Sequence, residues 1–163
     1  MTQHSVPIFP LKPLHLLMAD DDPEDREIFS EAIRDVSPTV ILEFAQNCEA
    51  VLDKLANSHP LPDIIFLDLN MPIMGGHACL KTIRCDSRYV NTSVIIFTTS
   101  TSPDDILNTF KAGASHYLPK PVNMEELKKS LQYLLIQSFN GQKPTFEDFV
   151  IRSQHSKTGP HRW

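Results

Sequence analysis

Acidic, hydroxyl and lysine side chains follow four separate apolar segments of the sequence, and together they could transfer a phosphoryl group. Asp20 and Asp21 follow the first segment, Asp68 another, while Thr98 and Lys120 stand at the ends of two more. Carboxylates placed close together repel one another and raise one another's pKa. A hard divalent cation relieves that repulsion, and all-oxygen ligands suit Mg²⁺. The residue types therefore indicate a cation site beside an anion site.

Asp68 is the candidate nucleophile, because an aspartate can form a covalent acyl phosphate. On one side of it we expect the cation, and on the other the hydroxyl of Thr98 and the ammonium of Lys120. Positive charge on both sides would offset the charge of the transferring phosphoryl oxygens. The pattern predicts phosphoryl transfer to Asp68.

Each of these residues also has an ordinary structural explanation when taken alone. Asp22 precedes Pro23 and fits a helix N-cap followed by proline at the first helical position. Thr98 could be a plain β-branched strand residue, and Lys120 a surface lysine. Their joint placement after different strands favours a functional site over coincidence.

Five short apolar runs alternate with amphipathic helical patterns, and these elements would position the site. Runs that are apolar nearly throughout are typical of strands buried on both faces of a parallel sheet. Right-handed crossovers between such strands produce a doubly wound, five-stranded parallel sheet of the (βα)5 type, in three α/β/α layers. The carboxyl ends of its strands meet at one edge, where ligands bind. The runs are LHLLMA, VILEFA, DIIFLD, SVIIFTT and SHYLPK.

The chain divides into a body and two polar ends. Residues 1–13 contain three prolines and read as an extended arm, residues 14–138 form the body, and residues 139–163 form a tail. Within the tail, PTFEDFVI places two phenylalanines and a valine at i, i+3 and i+4, which predicts one short extra helix. That helix would dock on its own domain or on a partner, and we favour its own domain.

Composition excludes several classes of function. The 163 residues carry a net charge of −5, from 15 basic and 20 acidic residues, which argues against nucleic acid as a partner. No run approaches the ~20 apolar residues of a membrane span, and no signal-peptide pattern opens the chain. Cys48, Cys79 and Cys85 form no CxxC pair, so we interpret them as free thiols in a reducing cytoplasm.

The segments ADDDPEDR, FLDLNMPIMGG, IIFTTS and YLPKP resemble the receiver (CheY-like) domain of two-component response regulators, over about residues 14–138. The spacing agrees as well: Thr98 is 30 residues after Asp68 (98 − 68), and Lys120 is 52 after it (120 − 68). The resemblance implies a flavodoxin-like, CheY-like fold.

The resemblance also implies a phosphoacceptor and a metal site. Asp68 would accept the phosphoryl group. Asp20, Asp21, Asp68 and the backbone carbonyl of Asn70 would hold Mg²⁺, or Mn²⁺ in its place. Asp22 adds a third acid to the pair, which leaves open which two face the metal.

Further roles follow from the same resemblance. Thr98 and Lys120 would bind the phosphoryl group, and Thr98 would then move toward it while Tyr117, the aromatic switch residue, turns inward. Lys120–Pro121 matches the family's cis peptide bond, and Gly76 matches the glycine after the active-site loop.

The resemblance implies protein partners rather than DNA. A sensor histidine kinase or a histidine phosphotransfer protein would donate the phosphoryl group, and a downstream protein would bind the face formed by the fourth helix, fifth strand and fifth helix. The 25 residues after Ser138 (163 − 138) are too few for a DNA-binding output domain, so we expect a stand-alone receiver. It would catalyse only its own phosphorylation and slow dephosphorylation. The tail leaves a homodimer open.

Two alternatives compete with this interpretation. A phosphatase of the haloacid dehalogenase class also uses an aspartate nucleophile with Mg²⁺, but it needs a general acid two residues later, where this chain has Asn70. A pseudo-receiver that binds partners without being phosphorylated is the other. The presence of every acid, the hydroxyl and the lysine weighs against it.

Overall fold

A five-stranded parallel sheet with helices on both faces forms the body of the protein, in a computed structural model that describes residues 12–152. The strand order is β2-β1-β3-β4-β5, which confirms the predicted doubly wound sheet. The proposed arm over residues 1–13 lies outside the described residues except for its last two. The strands are β1 His15–Ala19, β2 Ile41–Ala45, β3 Ile64–Leu67, β4 Ser93–Thr98 and β5 His116–Pro119.

Most helices begin at a side chain that caps their first turn. Asp22, as predicted, and also Ser102 and Asn123 each accept a hydrogen bond from a backbone N–H two or three residues later. Asn47 caps another helix in the same way. The helices are α1 Pro23–Val36, α2 Cys48–Asn57, α3 Gly76–Arg84, α4 Pro103–Lys111, α5 Met124–Phe139 and α6 Phe146–Phe149, with a short 3-10 helix at Ser87–Tyr89.

The sheet separates two apolar cores. Alternate residues of each strand point to opposite faces, so that Leu16 joins the core beneath α1 and α5 while Leu17 joins the core beneath α2 and α3. All four residues of β3 are buried. Burying each such side chain contributes about 1.5–3 kcal/mol. A strand fixed on both faces can hold the residue that follows it, Asp68, in a defined position.

Two cysteines contradict the prediction of free thiols. Cys48 and Cys79 form a disulfide with their Cα atoms 5.6 Å apart, whereas Cys85 is free and exposed. They are 31 residues apart and match no short motif. They meet because α2 and α3 pack side by side on one face of the sheet. The thiol argument for a cytoplasmic location is therefore wrong for this pair.

The predicted cis bond at Lys120–Pro121 is also wrong. Within residues 12–152 the cis peptide bond is His59–Pro60. The amide of Lys120 donates to the carbonyl of Thr98 at 2.8 Å, so pairing with β4 continues past the end of β5. The trans form of an X–Pro bond is favoured by about 0.5–1 kcal/mol.

A short helix lies where the tail's phenylalanines indicate one extra turn. This helix, α6, packs on its own domain, the alternative favoured from the sequence, with Phe149 fully buried. Between residues 12 and 152, no helix combines the length and hydrophobicity that crossing a bilayer requires.

Candidate functional site

Three carboxylates converge at the carboxyl ends of β1 and β3. One oxygen from each of Asp20, Asp21 and Asp68 lies within 4.8 Å of the others. The sheet sets this arrangement, because the Asp68 amide donates to the carbonyl of Ala19 and the Asp20 amide to that of Ala45, both at 3.0 Å. Asp20 and Asp68 are buried, and Asp21 is exposed. The predicted acids are therefore brought together.

The carboxylate cluster fits a small hard cation. Its donors are all oxygens, the ligands that Mg²⁺ and Mn²⁺ take in proteins. Asp22 has a structural role, because its carboxylate accepts a hydrogen bond from the Glu24 amide at 2.9 Å and so caps α1. Asn70 lies beside the cluster, where its N–H donates to Asp68 Oδ1 at 3.2 Å. The acids whose oxygens converge are Asp20, Asp21 and Asp68, and Asp22 is the cap of α1.

Lys120 joins the acids from the end of β5. Its Nζ lies 2.8 Å from Asp20 Oδ2, 2.6 Å from Asp25 Oδ2 and 3.2 Å from Asp68 Oδ2. Burial would lower the pKa of Lys120, but hydrogen bonds to Asp20 and Asp25, together with the charge of Asp68, raise it above its ordinary value. The side chain is therefore a fixed ammonium next to the candidate nucleophile.

Burial changes the pKa of Asp20. Removal from water raises the pKa of Asp20, and the hydrogen bonds from Lys120 and from the Asp22 amide only partly offset that effect. Asp20, Asp25 and Asp68 all bond the one ammonium of Lys120, and the exposed carboxylate of Asp21 lies beside Asp20 and Asp68. The excess negative charge favours an added cation.

Sequence reasoning missed Asp25. It lies in the first turn of α1, three residues after the Asp22 cap. A side chain at that position bends back toward the helix start, as in a capping box. Because α1 starts directly after β1, an acid there faces the strand ends. The spacing in DDDPED could have revealed it. Arg26, whose Nη1 donates to the Asp20 carbonyl at 2.8 Å, was missed too.

Thr98 and Tyr117 are linked through Ser100. The sheet register pairs Leu67 with Ile96, which puts Asp68 and Thr98 at neighbouring strand ends. Thr98 Oγ1 accepts the Ser100 amide at 3.4 Å, and the Tyr117 hydroxyl donates to the Ser100 carbonyl at 2.9 Å. Both Thr98 and Tyr117 are fully buried.

The same segment is tied to α3 and α4. The Ser100 hydroxyl donates to Asp105, whose other carboxylate oxygen lies 2.8 Å from His77 Nε2. These hydrogen bonds, Ser100 first and His77 second, lower the pKa of Asp105. No motif in the sequence signals this contact, because His77 and Asp105 are 28 residues apart and belong to different helices.

Gly76 is required by a close backbone approach. A Cβ there would lie 2.3 Å from the Asp68 carbonyl oxygen and 2.7 Å from the Leu69 Cα. Ile73, in the same loop, is exposed with φ at 71°, a left-handed conformation that β-branched residues rarely adopt. The loop after Asp68 is thus held in a conformation of higher energy, which is common at functional sites.

Comparison with known proteins matches the chain to one protein family. Residues 16–132 match the family model of the response regulator receiver domain. The chemotaxis protein CheY1 of Helicobacter pylori is 30% identical over 122 residues, which cover 75% of this chain and 97% of that protein.

Solved structures share the fold. CheY4, a chemotaxis response regulator of Vibrio cholerae, superposes with a TM-score of 0.66 at 32% identity, over 76% of this chain and 99% of that one. The Mn²⁺-bound form of response regulator Rcp1 superposes with a TM-score of 0.67 at 26% identity, over 82% of this chain and 98% of that one.

Proposed function

Given that this chain belongs to the response regulator receiver domain family of two-component signalling, we propose that it is a switch phosphorylated on Asp68. The observation that carries the proposal is that Asp68 contacts both charged groups of the site. Its carboxylate lies in the cluster with Asp20 and Asp21, and it is 3.2 Å from the Lys120 ammonium, which also bonds Asp20. A nucleophile placed in this way can attack phosphorus while positive charge receives the phosphoryl oxygens.

Receiver domains bind a divalent metal at an acidic pocket. For this chain we propose Mg²⁺, held by Asp20, Asp21, Asp68 and the backbone carbonyl of Asn70, and we propose that Mn²⁺, which is bound in a solved form of Rcp1, can take its place. When bound, the cation would neutralise charge on the phosphoryl oxygens. Oxygen ligands and excess negative charge support this choice.

The chemical step uses the chain's own groups. An Asp68 oxygen attacks the phosphorus of a phosphohistidine, the new O–P bond forms, and the N–P bond breaks, with its electron pair leaving on the imidazole. Lys120 shifts from carboxylate to a phosphoryl oxygen, and the Thr98 hydroxyl donates to another. Hydrolysis of the acyl phosphate later returns Asp68 to its carboxylate form. We propose no turnover of a separate substrate.

The response would travel through Ser100. Movement of Thr98 toward the phosphoryl group would break or lengthen its bond with the Ser100 amide, and the Ser100 carbonyl holds the Tyr117 hydroxyl. Since Tyr117 is already buried, we propose that its role is to transmit a shift of the segment between β4 and α4 rather than to enter from solvent.

Receiver domains interact with histidine kinases or phosphotransfer proteins and with downstream targets. We propose a phosphohistidine donor of that kind and a downstream protein that binds the face formed by α4, β5 and α5. The acidic balance of the chain supports protein partners over nucleic acid. We place this signalling in the cytoplasm.

Incubation with Mg²⁺ and acetyl phosphate or phosphoramidate tests the proposal. Intact-mass spectrometry should show one added phosphoryl group, absent in Asp68→Asn. Asp22→Asn is the matched control, because asparagine keeps the cap of α1, and it should be labelled like the wild type. An unlabelled wild type with both donors would identify a pseudo-receiver. Steady turnover of a generic phosphate ester would instead identify a phosphatase.

A further inference from the structure

The tail contributes an aromatic side chain to the face formed by α4, β5 and α5. Phe149, at the end of α6, is fully buried. Its ring centroid lies 5.1 Å from that of Phe110 on α4 and 6.1 Å from that of Tyr117 on β5. The contact is apolar and lies on the face that we propose for downstream partners.

The tail also adds backbone pairing to β5. This strand is at the edge of the sheet, where unpaired backbone groups can take up another strand. Val150 forms a parallel bridge with Tyr117, and the Ile151 amide donates to the Tyr117 carbonyl at 2.8 Å. A peptide that pairs with a sheet edge and places a side chain in an adjacent pocket uses a known mode of recognition.

The connection between α5 and residues 145–151 allows these residues to detach from β5. Residues 140–144 form neither helix nor strand. Gly141 turns the chain with φ at 64°, and a Cβ there would meet nothing within 4 Å. The pairing with β5 is a single isolated bridge. Apart from this bridge, the segment is held by the contacts of the Phe146 and Phe149 rings, so it can open without unfolding the sheet.

Tyr117 connects the segment to the phosphorylation site. Its ring packs on Phe149, and its hydroxyl holds the Ser100 carbonyl, whose residue bonds Thr98 through its amide. One ring contact and two hydrogen bonds therefore separate the tail from Thr98.

We propose that the β5 edge is a binding surface for a partner segment in which an aromatic residue is followed directly by β-branched residues. Residues 145–151 fill this surface in cis until such a segment displaces them. The aromatic residue would lie between Phe110 and Tyr117, and the residues after it would pair with β5. The inference rests on the proposed function in treating this face as an output surface, but the exchange itself needs no phosphorylation.

A labelled peptide of residues 144–152, PTFEDFVIR, tests the exchange in the unphosphorylated full chain by fluorescence anisotropy. In the wild type, the chain's own segment competes with the peptide for the β5 edge. If that segment is bound nine-tenths of the time, the peptide binds about ten-fold more weakly than to a free edge. The Phe149→Ala chain, whose segment is loosened, should therefore bind the peptide about ten-fold more tightly than the wild type. Phe139→Ala, which removes an exposed ring from α5, is the matched chain and should bind like the wild type. A peptide with alanine for its Phe149 should not bind.

Equal affinity of the wild type and Phe149→Ala, or binding by neither, would overturn the inference. Amide hydrogen exchange in the wild type is the second measurement, which does not depend on the variant folding. The Ile151 amide should exchange on the order of 100-fold faster than the Lys120 amide, which bonds Thr98 within the sheet. Equal protection would mean that the segment is a permanent strand.

The two proposals fail separately. If the chain binds the peptide in place of its own segment but accepts no phosphoryl group, only the proposed phosphorylation is contradicted. If the chain is phosphorylated on Asp68 but binds no peptide, only the proposed binding surface is contradicted.

Discussion

The carboxyl edge of the sheet and the outer edge of β5 differ in how they are held. At the carboxyl edge, Asp20, Asp68 and Lys120 are anchored by backbone bonds to neighbouring strands and by one another's charges. At the β5 edge, two phenylalanine rings and one isolated bridge hold a terminal segment. The first region can keep its geometry while a ligand changes, and the second can exchange its occupant.

Loss of Lys120 should have the largest effect on stability. Lys120→Met leaves buried carboxylates without their ammonium, and breaking such a cluster costs about 3–5 kcal/mol of unfolding free energy. Urea denaturation checks this value. Lys128→Met, which removes an ammonium paired with exposed Asp35, is the control and should leave the midpoint nearly unchanged. A comparable loss in both variants would show that the carboxyl edge is no more tightly held than the surface.

One substitution type can be compared across both regions. Gly76→Ala drives a Cβ into the Asp68 carbonyl and should lower the unfolding free energy by about 3 kcal/mol, whereas Gly141→Ala meets only the strain of its positive φ, about 1 kcal/mol. Thermal or urea unfolding of the two proteins measures the difference. If Gly141→Ala proved as damaging as Gly76→Ala, the connector would be as constrained as the site.

A third comparison uses two buried phenylalanines. Phe29→Ala removes a ring that packs edge-on against Phe66 and at a tilt against Phe97, and it should cost about 3–5 kcal/mol. Phe149→Ala should cost no more than about 1.3 kcal/mol, because the tail can undock and the loss stops at the docking free energy of a segment bound nine-tenths of the time. Urea titration of both variants supplies the numbers. Equal losses would make α6 part of the global core.

The smallest effect is a pH dependence at the β5 edge. Burial lowers the pKa of His116, the charge of Asp148 only partly offsets it, and Nδ1 has no hydrogen-bond partner within the described chain. The unfolded state therefore binds the proton more readily, so this contribution to stability is complete above the ordinary pKa of about 6.5 and is lost as pH falls below it. Unfolding free energies of the wild type and His116→Asn between pH 8 and pH 5 should diverge on the acid side. Parallel curves would contradict this account.

The sequence predicted the fold, and it predicted which acids and which lysine the structure brings together at the strand ends. Apolar runs such as the one before Asp68 identify central strands, and five β-α repeats leave little choice of topology. Tyr117 was assigned only through resemblance, and its burial beneath Phe149 had no signal in the chain. Asp25 had a readable signal in the first turn of α1, but it required knowing that α1 begins directly above the acids.

By itself, the sequence determined the class of sheet and which residues stand at its carboxyl edge, because hydrophobic period and crossover handedness are properties of local segments. Only the tertiary structure decided partners distant along the chain: Lys120 with Asp25, 95 residues away, and Cys48 with Cys79. It also decided that the tail lies on Tyr117. Such choices depend on distances of a few ångströms between packed elements, and the pattern of one segment carries no information about those distances.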